Sequence, residues 1–202
     1  MFHLKAPCTF KLRERASIFL AELHPAAHAE ARLAILTALK RRDYDATHHC
    51  QAWREGLPVR AWGSDDDGEP SGTAGPPMLR VLEGAELTDV LAVCSRWFGG
   101  TKLGTGGLVR AYTEAIQGAL AVARDQGLLV PVRCLREGSI TVPPDQAHLP
   151  FTLLGAFPEA ELVSQDFGPE GACLRFRLPP ESCELFERAW SERSRGGRVV
   201  WA

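Results

Sequence analysis

The stretch Ser95-Arg-Trp-Phe-Gly-Gly-Thr-Lys-Leu-Gly-Thr-Gly-Gly-Leu-Val-Arg-Ala-Tyr112 joins two different patterns of hydrophobicity. Just before it, Asp89-Val-Leu-Ala-Val-Cys94 is apolar and partly β-branched, which predicts a short buried strand. Beyond the glycines, Leu108, Val109, Tyr112, Ala115, Ile116, Ala119, Leu120 and Ala123 recur at helical spacing. Gly99, Gly100, Gly104, Gly106 and Gly107 therefore fall where a strand turns into a helix. Thr105 is the expected N-cap, and the first N–H groups of the helix are left without intrahelical partners. With Arg96, Lys102 and Arg110 close by, the arrangement suits an anion such as a phosphate. A plainer reading stays open beside it, in which the glycines serve only a tight turn and close helix packing.

Two familiar phosphate motifs fail. In a Walker A loop a lysine follows the second glycine, whereas Lys102 precedes Gly104. A dinucleotide fingerprint begun at Gly104-Thr-Gly106 requires glycine where Val109 stands. The loop is thus not that of an ordinary nucleotide fold.

Working outward, the 202 residues suffice for one large or two small domains. The 45% hydrophobic and 24% charged residues are ordinary for a globular chain. Residues 1–130 carry 15 basic and 15 acidic residues and the remainder carries 8 and 10, for a net charge of −2. Neither half is a polycation, so any nucleic-acid contact must come from a local patch, and no DNA specificity is evident. The cysteines at 8, 50, 94, 134, 173 and 183 lack metal-ligand spacing. Neither a secretory signal nor a membrane-length apolar run is visible, so a reduced, cytoplasmic protein is expected.

N-terminal to the central stretch, Thr9–Leu23 predicts one or two strands around Ser17–Ala21, and His28–Leu39 a helix ending in Lys40-Arg41-Arg42. That basic end suits a helix C-terminus and equally suits a polyanion. Ala46–Arg54 reads as a strand. Residues 56–77 are turn-rich and acidic, a long loop without predicted structure. Ser71 or Thr73 is placed to cap a short helix around Met78, Leu79, Val81 and Leu82. Gly127–Pro131 close the first half. The second half reads strand (133–142), helix (145–155), strand (160–166), strand (172–178), helix (181–194) and strand (199–202), with Gly168-Pro-Glu-Gly171 as a hairpin connection. This βαββαβ order is that of a ferredoxin-like split βαβ domain.

Three motifs together carry a resemblance: Asp45-Ala-Thr-His-His-Cys50, Asp66-Asp-Gly-Glu-Pro-Ser-Gly-Thr-Ala-Gly75 and Arg96 to Tyr112. They resemble the YigZ/IMPACT family over most of residues 1–130, and residues 131–202 resemble the family's bacterial C-terminal domain. The resemblance implies an α+β protein with two domains. The N-terminal one, 1–130, is like the second domain of ribosomal protein S five, and the C-terminal one, 131–202, is ferredoxin-like. Both resemble domains of elongation factor G. Eukaryotic relatives restrain a starvation-responsive kinase pathway of translation initiation by competing for its activating scaffold protein; they carry a different extra domain, absent here, so that partner does not transfer. No established enzymatic activity comes with the family, and no cofactor is expected. Trp97 stands where relatives usually have tyrosine, which keeps an aromatic surface.

The acidic loop admits three readings. Asp66, Asp67 and Glu69 can ligate a hard divalent cation beside a phosphate, pair with Arg96, Lys102 or Arg110, or form a solvated turn. His48 and His49 are adjacent on a strand and point to opposite faces, so only one can enter a site. His48 is the one that matches the family. Cys50 shares its face, which leaves a His48–Cys50 dyad to be tested by geometry.

The favoured expectation is a non-enzymatic, translation-related binding protein. Its partner is RNA or the ribosome, or a translation-regulatory protein, and no membrane is involved. Arg96, Lys102, Arg110 and the glycine-rich helix start contact phosphates, and Trp97 or Phe98 stacks or packs. The alternative is a metal-assisted enzyme acting on a phosphate-bearing small molecule, with Asp66, Asp67 and Glu69 as ligands.

Overall fold

The computed structural model describes residues 1–168 and 171–202. The chain divides into two compact units, Met1–Val132 and Arg133–Ala202.

The first unit is built on a five-stranded antiparallel sheet. Its strands are β2 (Cys8–Glu14), β3 (Ser17–Pro25), β4 (His48–Glu55), β5 (Ala61–Asp65) and β6 (Val90–Trp97), in the order β2-β3-β6-β4-β5. The apolar run at 90–94 becomes the central strand, where both faces are covered and alternation gives way to continuous hydrophobicity. Leu91 and Val93 pack with Ala26 and Leu39 under helix α1 (Ala29–Arg42). Val90, Ala92 and Cys94 face the main core with α2 (Gly75–Gly84) and α3 (Gly104–Asp125). Helix α3 buries Leu108, Ala111, Tyr112, Ala115, Ile116, Ala119, Leu120 and Ala123, the expected stripe with Ala111 in the place of Val109, which is only partly buried. After α3, β7 (Leu129–Pro131) pairs with β1 (Phe2–Leu4).

Several expectations need correction. The central strand continues through Ser95, Arg96 and Trp97, paired with β3 and β4, so the glycine-rich connection is confined to 98–103. Residues 56–77 contain β5, which pairs with Gln51–Glu55 of β4. Its alternation is hidden by Gly63, which lies so close under the Trp53 ring that a Cβ would meet it at 2.8 Å. Neither expected cap caps. Helix α3 starts at Gly104 behind Leu103, with no side-chain cap, and Thr105 lies inside the first turn. Helix α2 starts behind Ala74, while the Thr73 hydroxyl donates to the Pro70 carbonyl and Ser71 is exposed.

The second unit is a four-stranded antiparallel sheet of β8 (Arg136–Val142), β9 (Glu161–Gly168), β10 (Gly171–Leu178) and β11 (Val200–Trp201), in the order β11-β8-β10-β9. Alternate residues of β8 and β10, among them Ile140, Val142, Leu174, Phe176 and Leu178, form a core with residues of α4 (His148–Leu154) and α5 (Pro180–Arg193). The helix expected over 145–155 is divided into a 3-10 turn, Pro144–Gln146, and α4. Pro144 and Pro150 each sit in a first turn, where the missing N–H costs nothing. The expected hairpin connection has Pro169 and Glu170 outside the described residues. No helix among the described residues is long and apolar enough to cross a membrane.

Candidate functional site

Strand register sets the site. Phe19 of β3 and His48 of β4 both lie opposite Arg96 of β6, so the three stand abreast on the face covered by α3. Arg96 is only 5% exposed. Its Nη1 donates to Glu69 Oε1 at 2.6 Å, and its Nη2 to the Ser17 hydroxyl at 3.3 Å. The guanidinium carbon lies 5.3 Å from the Phe19 ring centroid and 5.5 Å from that of Phe98. Its Nε is buried and has no acceptor among the described residues. Glu69 also accepts the Tyr112 hydroxyl at 2.7 Å. Arg96 is therefore a buried, paired charge and not a free phosphate contact. Of the three readings of Glu69, pairing with Arg96 is the one realised.

The other acidic residues have separate tasks. Asp66 Oδ1 accepts the Ala74 and Gly75 N–H groups at 2.9 and 2.8 Å, and its Oδ2 that of Gly72 at 2.7 Å. This carboxylate does the capping expected of Ser71 or Thr73, from a distance in sequence. Asp67 accepts the His49 N–H at 2.6 Å and the Lys40 ammonium at 2.9 Å. Burial raises the Asp67 pKa, but these two bonds outweigh it and hold the carboxyl below its ordinary range. Asp66, Asp67 and Glu69 thus diverge. Among the described residues no three His, Cys, Asp or Glu side chains converge as a metal site, so the cation reading of this trio is corrected. The basic end of α1 is likewise engaged: Arg42 pairs with Glu22 and Asp43, and Lys40 with Asp67.

The His48–Cys50 dyad does not form. Cys50 Sγ contacts the Asp66 carbonyl at 3.0 Å and the Tyr112 hydroxyl at 3.3 Å, while His48 Nδ1 lies 2.8 Å from the Asp67 carbonyl. Burial pushes the Cys50 thiol up to about 12 and raises the Tyr112 hydroxyl as well. A thiol so protonated is no nucleophile near neutral pH. His49 points to the other face, as expected, and burial lowers its pKa.

Between these groups and the start of α3 lies a cavity of about 450 Å³, walled by Thr47, His48, Glu69, Pro70, Arg96, Phe98, Lys102, Leu103, Gly104, Thr105 and Leu108. The structure thus brings Arg96, Phe98, Lys102, Gly104, Thr105, His48 and Glu69 to one pocket. Phe98 is 45% exposed at its rim. Its N–H donates to the Thr47 hydroxyl at 3.1 Å, which ties the loop to β4. The first turn of α3 has no side-chain cap, so its N–H groups are open at the Gly104–Thr105 wall.

Other expected residues lie elsewhere. Arg110 lines a separate hollow with Glu14, Arg15 and Glu114. Trp97 is half-buried opposite Ile18. Gly99 sits so close to the Ala16 carbonyl that a Cβ would meet its oxygen at 1.9 Å, a packing requirement and not a ligand contact. Gly100 takes φ +86° with open space around it, and Gly106 and Gly107 lie in the first turns of α3. Ser17, Thr47 and Leu103 were not singled out from sequence. Only the β3–β6–β4 register places the first two beside Arg96, and no local signal marks them.

With this geometry in hand, the sequence matches the Impact N-terminal domain over residues 15–120, more than half of the chain. The chain belongs to the IMPACT family. It is 42% identical over 117 residues to the IMPACT family member YigZ of Escherichia coli, covering 57% of either chain. It is 41% identical over 165 residues to an IMPACT family member of Thermus thermophilus, covering 81% of this chain and 85% of that one. The match thus spans little more than half the length of the Escherichia coli relative. A crystal structure described as that of a hypothetical protein aligns with a TM-score of 0.60 at 31% identity, over 99% of this chain and 95% of the other. The IMPACT match runs from the β2–β3 turn into α3, and so contains every residue of the pocket wall.

Proposed function

We propose that this IMPACT-family chain is a non-enzymatic, translation-related binding protein that grips an anionic group of its partner, RNA or the ribosome, at the glycine-rich start of α3. One observation carries the reading: the uncapped first turn of the 22-residue helix opens beside Lys102 on a pocket. Unpaired N–H groups and the helix dipole favour negative charge there, and the exposed Lys102 adds a cation. The translational setting comes with the family resemblance, in which relatives act on translation initiation. The β11-β8-β10-β9 order of alternately directed strands supports reading 131–202 as a ferredoxin-like domain, beside an N-terminal domain over 1–130 like the second domain of ribosomal protein S five. A regulatory protein with an acidic segment is the other partner this site would accept. A metal-assisted enzyme finds little support, because Asp66, Asp67 and Glu69 already spend their oxygens on backbone amides, Lys40, Arg96 and Tyr112.

Binding to ribosomal subunits and structured RNA across a salt series tests the proposal, with Lys102→Ala alongside. Affinity is expected to fall steeply with salt, and the variant to weaken binding and flatten the slope by about one. Lys102 is exposed and its side chain has no ion pair among the described residues, so stability should not change. Absence of binding at low salt would sink the RNA reading.

A further inference from the structure

The pocket at the start of α3 is more than an anion hole. Three of its walls, Phe98, Leu103 and Leu108, are apolar, and Phe98 offers a large exposed ring at the rim. Arg96 makes the second, independent observation. Its side chain is nine-tenths buried in the pocket wall, Nη1 and Nη2 are engaged by Glu69 and Ser17, and Nε has no acceptor among the described residues. An orphaned donor on a buried cation is costly, and since this nitrogen has no accessible surface, an acceptor entering the pocket relieves it only if the guanidinium shifts toward the cavity. The site therefore combines an apolar, aromatic-rimmed space, an unfilled donor in its wall, and an N–H-rich helix start with Lys102.

Resting on the anion-site reading above, we infer that the pocket seats one unstacked nucleotide, its base on Phe98 and its phosphate at the start of α3 and Lys102. A base supplies the π-face that an exposed aromatic ring favours, together with carbonyl and ring-nitrogen acceptors for Arg96. A volume of about 450 Å³ lies within the range of small-ligand sites. The charge balance points the same way. With 23 basic against 25 acidic residues the chain is no general polyanion binder, so recognition of an anionic chain has to be concentrated at a built site. The nucleotide comes from a single-stranded RNA segment or as a free mononucleotide, and both present the same chemistry.

Anisotropy of labelled oligouridylate and oligoadenylate with the full chain tests this. AMP, UMP and inorganic phosphate serve as competitors, and duplex RNA as a comparison. Single strands should bind better than the duplex, and the mononucleotides should compete better than phosphate. Phe98→Leu should weaken binding about tenfold with an unchanged salt slope, because stacking is lost and no charge is. Lys102→Ala should instead lower the slope. Mononucleotide binding without oligonucleotide binding supports the pocket and identifies the free nucleotide as its source. If RNA binds and Lys102→Ala acts, but Phe98→Leu changes nothing and phosphate competes as well as AMP, the nucleotide pocket is overturned and the anion site survives. If neither RNA nor mononucleotide binds at low salt, both fall, and capture of an acidic peptide instead would assign the site to a protein partner.

Discussion

Arg96 and Glu69 show how one residue pair converts a surface-looking sequence into a buried framework. By composition both belong to the acidic and basic decoration of a site, yet each is buried and the pair is shared with Tyr112. Breaking a buried pair from one side strands the other charge, at a cost of about 3–5 kcal/mol. Glu69→Ala is accordingly expected to lose that much in denaturant unfolding. Glu69→Gln should lose less, since its amide oxygen still accepts from Arg96. A stability within about 1 kcal/mol of the parent for Glu69→Ala would refute the assigned role, being the level of an exposed pair. Asp67 gives the pH dependence. Its pKa is lowered in the folded state, so its contribution is complete above the ordinary carboxylate value and is lost as pH falls through the lower folded value. Thermal midpoints should drop below about pH 4, and Asp67→Asn should reduce that drop while lowering the midpoint at neutral pH.

At the scale of elements, α3 is the piece most exposed to test. Gly118 faces β2, and a Cβ there would meet the Phe10 ring at 2.3 Å. Alanine favours a helix over glycine by about 1 kcal/mol, but overpacking of this kind costs about 1–3 kcal/mol. Gly118→Ala is expected to be destabilising in thermal or denaturant melts, and a gain in stability would show that α3 is free to shift from β2. The helix itself was legible, because its stripe of Leu108, Tyr112, Ile116 and Ala119 has one period and one burial face. So were the buried strand before it and the opposite facing of His48 and His49. What was not legible depended on partners distant in sequence. Arg96 reads as a loop cation until β3 and β4 pair on either side of it. The alternation of the strand at 61–65 is masked by Gly63 under the Trp53 ring, and the strand is held by the backbone partners that Gln51–Glu55 offer it. The helix start of α2 is capped by Asp66, eight residues before Ala74, which no local capping rule anticipates.

For the whole molecule, the two units have separate cores. Phe19, Met78, Leu82, Tyr112 and Ile116 belong to one, and Ile140, Leu174, Phe176, Phe186 and Trp190 to the other. Each sheet also closes its own strand pairings within its unit. Fragments 1–132 and 133–202 are therefore each expected to show a cooperative thermal transition. The first fragment should keep whatever RNA affinity the full chain has, since all the pocket residues lie in it. A first fragment lacking a cooperative transition would show that its core is insufficient alone.

The carboxylate of Asp66 has one more consequence. By composition, the segment from Asp66 to Gly75 should exchange its amide hydrogens as quickly as any glycine-rich turn. Gly72, Ala74 and Gly75, however, all donate to the same side chain. Their deuterium uptake should be slow, and it should occur in step, since one rotation of a single carboxylate releases all three.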